Sequence, residues 1–366
     1  MIRVAHSSLP HPREAVEEIK AALGDAQPKL LFCFASPRYE PHELLRHLNK
    51  TFGNALVLGG STAGELVSGQ SLKGSVVAMA IDGDVIEKVA GAVVEDLGAS
   101  MDLDGACRTL ERHMGCPLDE LDPDTHVGIV IADGLSGAEE RLIEGLAERT
   151  ELAFVGGSAG DDLKFDKTRV FWGKNVFEHA AVLVVLKVPR GFEVVKTQSF
   201  QETGKFLVAT EVDEPHRTVL SFDGHPAASA YAEAVGALPT AIGEMFMTFP
   251  LARIVGKEPF IRSPQKLEGT AMKFYCGVKK GEKLAVMKAT DILADTRRAM
   301  GGMVGAGGAA GVVDFHCILR ALELESRGLS QEYGAIFKSV PMVGFCTYGE
   351  AWTTHINQTS TMLVFK

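Results

Sequence analysis

Two glycine-rich turns place hydroxyl and carboxyl side chains directly after apolar segments. Their candidate ligand-binding residues are Gly60, Ser61, Thr62, Gly64 and Glu65 in GGSTAGE, and Gly157, Ser158 and Asp161 in GGSAGDD. Successive glycines let backbone N–H groups approach a ligand closely, and Ser and Thr hydroxyls add hydrogen-bond donors. The same composition is typical of a tight turn that requires positive φ. The turns therefore predict donors that face one ligand cleft, with a purely structural turn as the alternative.

Neither turn has the pattern of a nucleotide-binding loop. Gly64 is followed by Glu65, whereas a P-loop requires Lys followed by Ser or Thr, and neither turn has GxGxxG spacing. A third glycine-rich segment, MGGMVGAGGAAGVV, precedes an apolar strand and opens no helix, so it predicts a flexible connector. A nucleotide site is therefore not predicted.

Arg262 and Arg320 are candidate counter-charges for an anionic or zwitterionic ligand, because a guanidinium matches a carboxylate in a bidentate geometry. Arg320 directly follows an apolar strand in FHCILR, where a charge is costly without an acidic partner. Asp314 and Glu350 are the intramolecular partners that the sequence offers, and a ligand carboxylate is the alternative. The two interpretations are compatible.

Cys317 and His355 would be the residues of a nucleophilic site in a hydrolase or transferase. Buried cysteine, however, behaves mostly as a small hydrophobic residue. The sequence contains no GxSxG, HExxH or Walker motif. We therefore predict a binding protein without catalytic residues, in which Cys317 lies beside the ligand site.

The segments around the turns have the periodicity of alternating strands and helices. PKLLFCFAS, NALVLGG and GSVVAMAID predict strands, and PHELLRHLNKTF predicts an amphipathic helix. A second copy repeats this order with HVGIVIADG, a helix in SGAEERLIEGLAERT that begins at a Ser cap, LAFVGG and AAVLVVLKV. A third, more diverged copy extends from GVVDFHCILRA to the terminal TSTMLVFK.

These repeats predict an α/β fold in which duplicated β-α-β-β units form layered mixed sheets flanked by helices. A chain of 366 residues fits two fused lobes. We divide it near EVDEPHR into domains 1–215 and 216–366, with the ligand cleft lined by the glycine turns.

Composition excludes several classes of partner. The net charge is −10 and no basic run is present, so the sequence does not predict nucleic-acid binding. No apolar segment reaches the length of a membrane span, and the N-terminal segment has His, Pro and charges where a secretory signal needs an apolar core. Six cysteines without a CxxC pair favour a reducing compartment. We expect a cytoplasmic protein.

Four motifs, in the expected order, resemble the FIST domain, a bacterial sensory module with N- and C-terminal halves. They are GGSTAGE, GGSAGDD, FHCILR and TYGEAWTTHINQTSTML, and the resemblance covers roughly Lys29 to Phe365. FDGHPAASAYAEAVG, PFIRSPQ and MKFYCGVKKGEKL are similar to segments of stand-alone, NosP-type FIST proteins. The resemblance implies a ligand-binding sensor that signals through a separate partner such as a histidine kinase, in a two-component system. It also implies haem binding and nitric oxide sensing as an alternative function.

The resemblance also offers ligand-binding residues in the last motif, which are Tyr348, Glu350, His355 and Asn357. A haem iron requires an axial ligand in an apolar pocket, and His355 is the best placed by motif, followed by His316 and His225. The chain departs from the family pattern at Gly60, where a Cys is expected, and at Ser199, where a His is expected. Because Ser199 removes a candidate haem ligand, we expect poor haem loading and otherwise an unknown small ligand.

Overall fold

The computed structural model describes residues 1–98, 100–238, 240–305 and 308–366. Its helices are α1 (Pro12–Leu23), α2 (Pro41–Phe52), α3 (Leu103–Met114), α4 (Glu139–Ala147), α5 (Ala227–Val235), α6 (Ile292–Gly305), α7 (Ile318–Ser326) and α8 (Ser330–Ala335). Among the described residues, no helix combines the length and the apolar character needed to cross a bilayer.

The strands of the first two thirds are β1 (Ile2–Ser7), β2 (Leu30–Ala35), β3 (Leu56–Ser61), β4 (Glu65–Val67), β5 (Gln70–Leu72), β6 (Val76–Ile81), β7 (Lys88–Val94), β8 (His126–Ala132), β9 (Phe154–Ser158), β10 (Val170–Trp172), β11 (Asn175–Phe177), β12 (Ala181–Lys187), β13 (Phe192–Gln198) and β14 (Phe200–Asp213). They are followed by β15 (Thr218–Phe222), β16 (His225–Pro226), β17 (Leu251–Val255), β18 (Glu258–Arg262), β19 (Pro264–Glu268), β20 (Ala271–Phe274), β21 (Lys283–Ala289), β22 (Gly311–Cys317), β23 (Met342–Thr347), β24 (Glu350–Trp352), β25 (Thr354–Ile356) and β26 (Thr359–Phe365). The protein is thus a mixed α/β structure, as predicted.

The chain forms two compact units. The first contains Met1–Lys196, Thr296–Thr354 and Ser360–Lys366, and the second contains Thr197–Asp295 and His355–Thr359. Neither unit is one continuous stretch of chain, so this division differs from the domain boundary between residues 215 and 216, which stays a prediction.

Three copies of one unit build the first compact unit. Each has a parallel central pair of strands, β2 with β3, β8 with β9, and β22 with β23. The last strand of each copy, β6, β12 or β26, returns antiparallel to the first strand of that pair. We call these copies repeat 1 (β1 to β6), repeat 2 (β7 to β12) and repeat 3 (β13 and β22 to β26). The structure confirms the predicted duplication, including the diverged third copy.

Each repeat gives the strands after its glycine turn to another repeat. Strands β4 and β5 of repeat 1 extend the sheet of repeat 3 beside β23. Strands β10 and β11 of repeat 2 extend the sheet of repeat 1 beside β3. Strand β24 of repeat 3 extends the sheet of repeat 2 by pairing with β9. Gly160 N donates to Ser61 O (2.9 Å), Ser158 N to Gly349 O (2.8 Å) and Ala63 N to Cys346 O (3.2 Å). This cyclic exchange brings the two glycine turns into contact with each other and with the equivalent turn of repeat 3, which joins β23 to β24.

Apolar residues cover both faces of these sheets. One face of each repeat contributes to a shared core that includes Phe34, Phe315 and Phe345, whose rings contact one another. The outer faces of repeats 1 and 2 are covered by α1 with α2, and by α3 with α4, through two further apolar clusters. The continuous apolar strands predicted from the sequence are therefore buried on two sides.

The second compact unit has its own antiparallel sheet and core. Its strand order is β18-β17-β21-β14-β15-β20-β19, and β16 pairs with β15. Helix α5 packs on this sheet through Tyr231, whose hydroxyl donates to Phe249 O at 2.7 Å. This unit interrupts repeat 3 between β13 and β22.

Two local predictions were wrong. Helix α4 begins at Glu139 rather than at a Ser cap, because Ser136 Oγ donates to Asp133 O (2.9 Å) in a turn that precedes the helix. Helix α6 continues through Gly305 and β22 begins at Gly311, so most of the glycine-rich segment at 300–313 is not a connector. Residues 306–307 of that segment lie outside the described residues.

Candidate functional site

The glycines of the turns allow parallel strands to approach closely. An ideal Cβ on Gly59 would lie 1.7 Å from Cys33 O, and one on Gly156 would lie 1.8 Å from Val130 O. Neither glycine has a positive φ; within the two motifs, φ is positive at Gly64 (133°) and at Asp162 (55°). The glycines therefore have a structural role that does not involve a ligand. At most positions, glycine is required because another backbone lies too close for a Cβ, and not because φ is positive.

The hydroxyls of the first turn are hydrogen-bonded within the protein. Ser61 Oγ accepts from Arg169 N at 2.9 Å, and Thr62 Oγ1 donates to the carboxyl group of Glu65. The second oxygen of Glu65 accepts from Ser75 N (2.9 Å) and Ser75 Oγ (2.6 Å). Burial raises the pKa of Glu65 to about 7 despite these bonds. Ser61, Thr62 and Glu65 are buried.

The polar side chains of the second turn are also hydrogen-bonded within the protein. Ser158 Oγ donates to Glu139 Oε1 at 3.3 Å, and the Tyr348 hydroxyl donates to Asp161. Asp161 also accepts three backbone N–H groups, from residues 165–167. Burial raises the pKa of Asp161, but these hydrogen bonds outweigh it and lower the pKa below the usual value. The predicted donors and acid of this turn therefore stabilise a loop.

Three further predicted site residues, Glu350, Gly157 and Gly60, also make contacts inside the first compact unit. Glu350 is fully buried and accepts from Thr347 Oγ1 at 2.6 Å. A Cβ on Gly157 would lie 2.5 Å from Thr347 Cγ2, and one on Gly60 would lie 2.9 Å from Arg169 O. Their positions match close packing of the three turns.

Arg262, His355 and Asn357 belong to the second compact unit, where all three are buried. Arg262 Nη1 donates to His355 O (3.0 Å) and to Ile261 O (3.3 Å). Within the described part of the chain, Arg262 Nε and Asn357 Oδ1 have no hydrogen-bond partner. Arg262 is thus held by backbone carbonyls.

Cys317 and Arg320 lie where β22 passes into α7. Cys317 is the N-cap residue of that helix and is buried, and Arg320 lies in its first turn, on a helix rather than a strand. Arg320 Nη2 donates to Thr296 Oγ1 at 3.1 Å. Burial raises the pKa of Asp314 to about 6, and the hydrogen bond from Ser360 and the charge of Arg320 partly offset this effect. Asp314 therefore interacts electrostatically with Arg320.

The outer face of repeat 3 is polar where those of the other repeats are apolar. The register pairs Cys33 with Gly59, Val130 with Gly156 and Asp314 with Gly344, so these pairs occupy equivalent positions. Two residues further along, His316 takes the place of Ala35 and Ala132. A buried acid and a buried imidazole thus replace small or apolar side chains in one copy of the repeat. Such groups are costly in a core without a compensating role.

A cavity of about 300 Å³ opens beside His316, and we call it the His316 cavity. It is lined by Ala63, Gly64, Leu66, Ser71, Leu72, Lys73, Gly74, Asp162, Leu163, His316, Ile318, Ala321, Leu322, Leu324, Glu325, Ser330, Tyr333 and Cys346. These residues come from the first two turns, the β4–β5 hairpin, β22, β23, α7 and α8. The volume is at the small end of the range for small-molecule sites, about 300 to 1,000 Å³.

His316 is a buried polar side chain in the wall of this cavity. It is 1% exposed, and neither ring nitrogen has a hydrogen-bond partner among the described residues. Its Nδ1 lies 3.9 Å from Asp314 Oδ2, and its ring centroid lies 4.7 Å from that of Tyr333. Burial, followed by the charge of Arg320, lowers the pKa of His316 well below the usual value. The imidazole is therefore neutral, with one donor and one acceptor to offer.

Gly64 is the predicted site residue that lines this cavity. Sequence reasoning ranked His316 below His355 and did not identify Tyr333, Cys346 or the β4–β5 hairpin. The available signal was the contrast between GVVDFH of repeat 3 and the equivalent LLFCFA of repeat 1.

Comparison with protein families agrees with the motifs. The FIST N domain model matches residues 29–225 and the FIST C domain model matches residues 227–352. A search of curated proteins finds no match to the chain. FIST domains bind small ligands as sensory domains of signalling proteins and are not known as enzymes. Because the two models together cover most of the sequence in the expected order, the chain belongs to the FIST family.

Proposed function

We propose that this FIST protein is a sensor that binds a small molecule in the His316 cavity and signals through a separate partner, such as a histidine kinase. The observation that carries this proposal is a buried imidazole without a hydrogen-bond partner in a cavity of ligand size. Leaving such a group unsatisfied costs about 1 to 3 kcal/mol. A bound ligand would remove this cost by bonding to the ring.

The walls of the cavity supply a means of transmitting binding. Leu66 and Leu72 belong to the hairpin of repeat 1, whereas Ile318 and Tyr333 belong to repeat 3. At the entrance, Lys73 Nζ bonds both carboxylate oxygens of Glu325, at 2.6 and 2.7 Å. A ligand that contacts both walls would stabilise one arrangement of the hairpin against α7 and α8, which a partner can recognise.

Filling the cavity tests this proposal. Ala321→Trp places a large side chain in the cavity from α7, while Ala22→Trp places the same side chain on the exposed surface of α1. A panel of amino acids, short carboxylic acids and small neutral metabolites is then screened by thermal shift. A ligand at 100 times its Kd should stabilise wild type and Ala22→Trp by about 2.7 kcal/mol.

Ala321→Trp should show no response to the same compound. Equal responses in all three proteins would place the ligand elsewhere, and a panel without any response would contradict binding of a small metabolite. Either result would overturn the proposal.

The cavity does not fit haem, which is the alternative implied by the resemblance. His316 has the neutral form that an iron ligand needs, but the cavity is at the small end of the ligand-site range, whereas haem is a large macrocycle. Lys73, which could bind a propionate, is paired with Glu325. Ser199 and His355 are both buried in the second unit.

We therefore expect poor haem loading in the native protein. Addition of haemin should give only a broad, weak Soret band, because the His316 cavity, which offers a candidate axial ligand, has little room for the macrocycle. Absorbance spectra of wild type, His316→Ala and His355→Ala check this. A sharp, stoichiometric band that shifts with nitric oxide and is lost in one variant would establish haem sensing and identify the ligand.

A further inference from the structure

We infer that the His316 cavity takes an uncharged molecule of about one aromatic ring, with one hydrogen-bonding group that pairs with the His316 ring. This inference rests on the proposed function and adds the chemical class of the ligand. The hydrogen-bonding group can be a hydroxyl or a primary amide, because each can donate to or accept from the ring and so pairs with either tautomer of the neutral imidazole.

The distribution of charge in the cavity argues against an anion. Among the described residues that line it, the charged groups are Lys73, Asp162 and Glu325, and the ammonium is bonded to Glu325. The net charge of this set is −1, counted from one Lys, one Asp and one Glu. A carboxylate would pass two acids and then lie against a neutral imidazole, where a buried charge without a partner is strongly disfavoured.

A cation is disfavoured by the interior. Asp162 and Glu325 are exposed, so the acids lie at the entrance rather than beside His316. The interior walls are apolar at Leu66 and Leu324, and burial raises the pKa of the Cys346 thiol, which stays protonated. The nearest carboxylate to His316 is that of Asp314, whose oxygens already accept from Ser360 Oγ (2.7 Å) and from the Tyr333 hydroxyl (3.4 Å). An ammonium next to His316 would therefore lose its hydration and would have to compete for a carboxylate that is already bonded.

Size and shape favour one ring. An apolar cavity of about 150 Å³ can bind benzene, so about 300 Å³ has room for a ring with a short substituent. The aromatic face of Tyr333 and the aliphatic side chains of α7 provide the apolar contact. His316 then distinguishes a ligand with a polar group from a plain hydrocarbon.

Four compounds of nearly equal size separate these requirements: benzyl alcohol, toluene, benzoate and benzylamine. Their affinities are measured by NMR titration of the full chain near pH 7. We expect benzyl alcohol to bind at least tenfold more tightly than benzoate or benzylamine. In His316→Phe, the affinity for benzyl alcohol relative to toluene should fall by about tenfold, because the buried hydroxyl loses its partner.

His316→Gln keeps a donor and an acceptor and should retain most of this preference, which also controls for a misfolded His316→Phe. Tighter binding of benzoate or benzylamine, or an unchanged ratio in His316→Phe, would overturn the inference. If none of the four binds while another compound binds in a way that Ala321→Trp abolishes, the ligand class is wrong and the proposed function stands. If no compound depends on Ala321, the proposed function fails as well.

Discussion

Gly156→Ala should prevent folding of the first compact unit. The added Cβ would lie 1.8 Å from Val130 O, on the neighbouring parallel strand, so β8 and β9 would have to separate where both are buried. The clash is with a backbone atom, so no flexible side chain can move aside to relieve it. We therefore expect the free energy of unfolding to fall by more than about 4 kcal/mol, whereas the total for a folded protein is about 5 to 15 kcal/mol. Soluble yield and circular dichroism measure the result.

Gly83→Ala is the matched control. A Cβ on Gly83 would meet no atom within 4 Å and its φ is not positive, so this variant should fold like wild type. A folded, cooperatively melting Gly156→Ala would show that the strands can separate at small cost. The repetition of Gly-Gly-Ser in the two turns would then be better explained by contact with a ligand.

The strands and helices of the repeats were predictable because their signals are local. PHELLRHLNKTF predicted α2 at its observed bounds, since Pro41 begins an amphipathic period and Gly53 ends it. β2, β8 and β12 are short, mostly apolar runs; β2 and β8 are buried along their full length, and β12 is buried except at Lys187. The duplicated order of these elements then gave the repeats.

The exchange of hairpins was not predictable from the same signals. Strand β4 has three residues and pairs with β23, which lies far along the chain. Its apolar pattern specifies a short strand but not the sheet that it joins. Two lobes were predicted, but the insertion of the second compact unit between β13 and β22 was not, because the local sequence patterns of β22 and β23 do not depend on what precedes them in the chain.

The site was only partly predictable, because a glycine turn has the same sequence whether it binds a ligand or another strand. Sequence reasoning identified the turns, and the structure shows their hydroxyls bonded to the protein at Ser61, Thr62 and Ser158. His316 is informative only after the register aligns it with Ala35 and Ala132. The polar residue at a position that is apolar in the other two repeats therefore indicates a site at His316, whereas the family motifs favoured His355.

Glu65→Gln should stabilise the protein at neutral and alkaline pH. The usual pKa of Glu is 4.5 and burial raises that of Glu65 to about 7, so between these values the folded protein holds a proton that the unfolded chain has released. The resulting stability is complete below pH 4.5 and is lost as pH rises through about 7. At about 1.4 kcal/mol per pKa unit, the loss is roughly 3 kcal/mol. Urea unfolding across this range measures it.

The amide reproduces the protonated acid at this position. Its oxygen can accept from Ser75 while its NH₂ group donates to Thr62 Oγ1, so the hydrogen bonds of the turn are kept and the titration is removed. Glu151→Gln removes the same charge from an exposed position and should keep the wild-type pH dependence. In Glu65→Gln, a smaller decline of stability with rising pH should remain below about pH 6, because burial also raises the pKa of Asp314 to about 6. An unaltered decline in Glu65→Gln would mean that Glu65 is ionised in the folded protein at neutral pH, and that the turn carries a buried negative charge beside the His316 cavity.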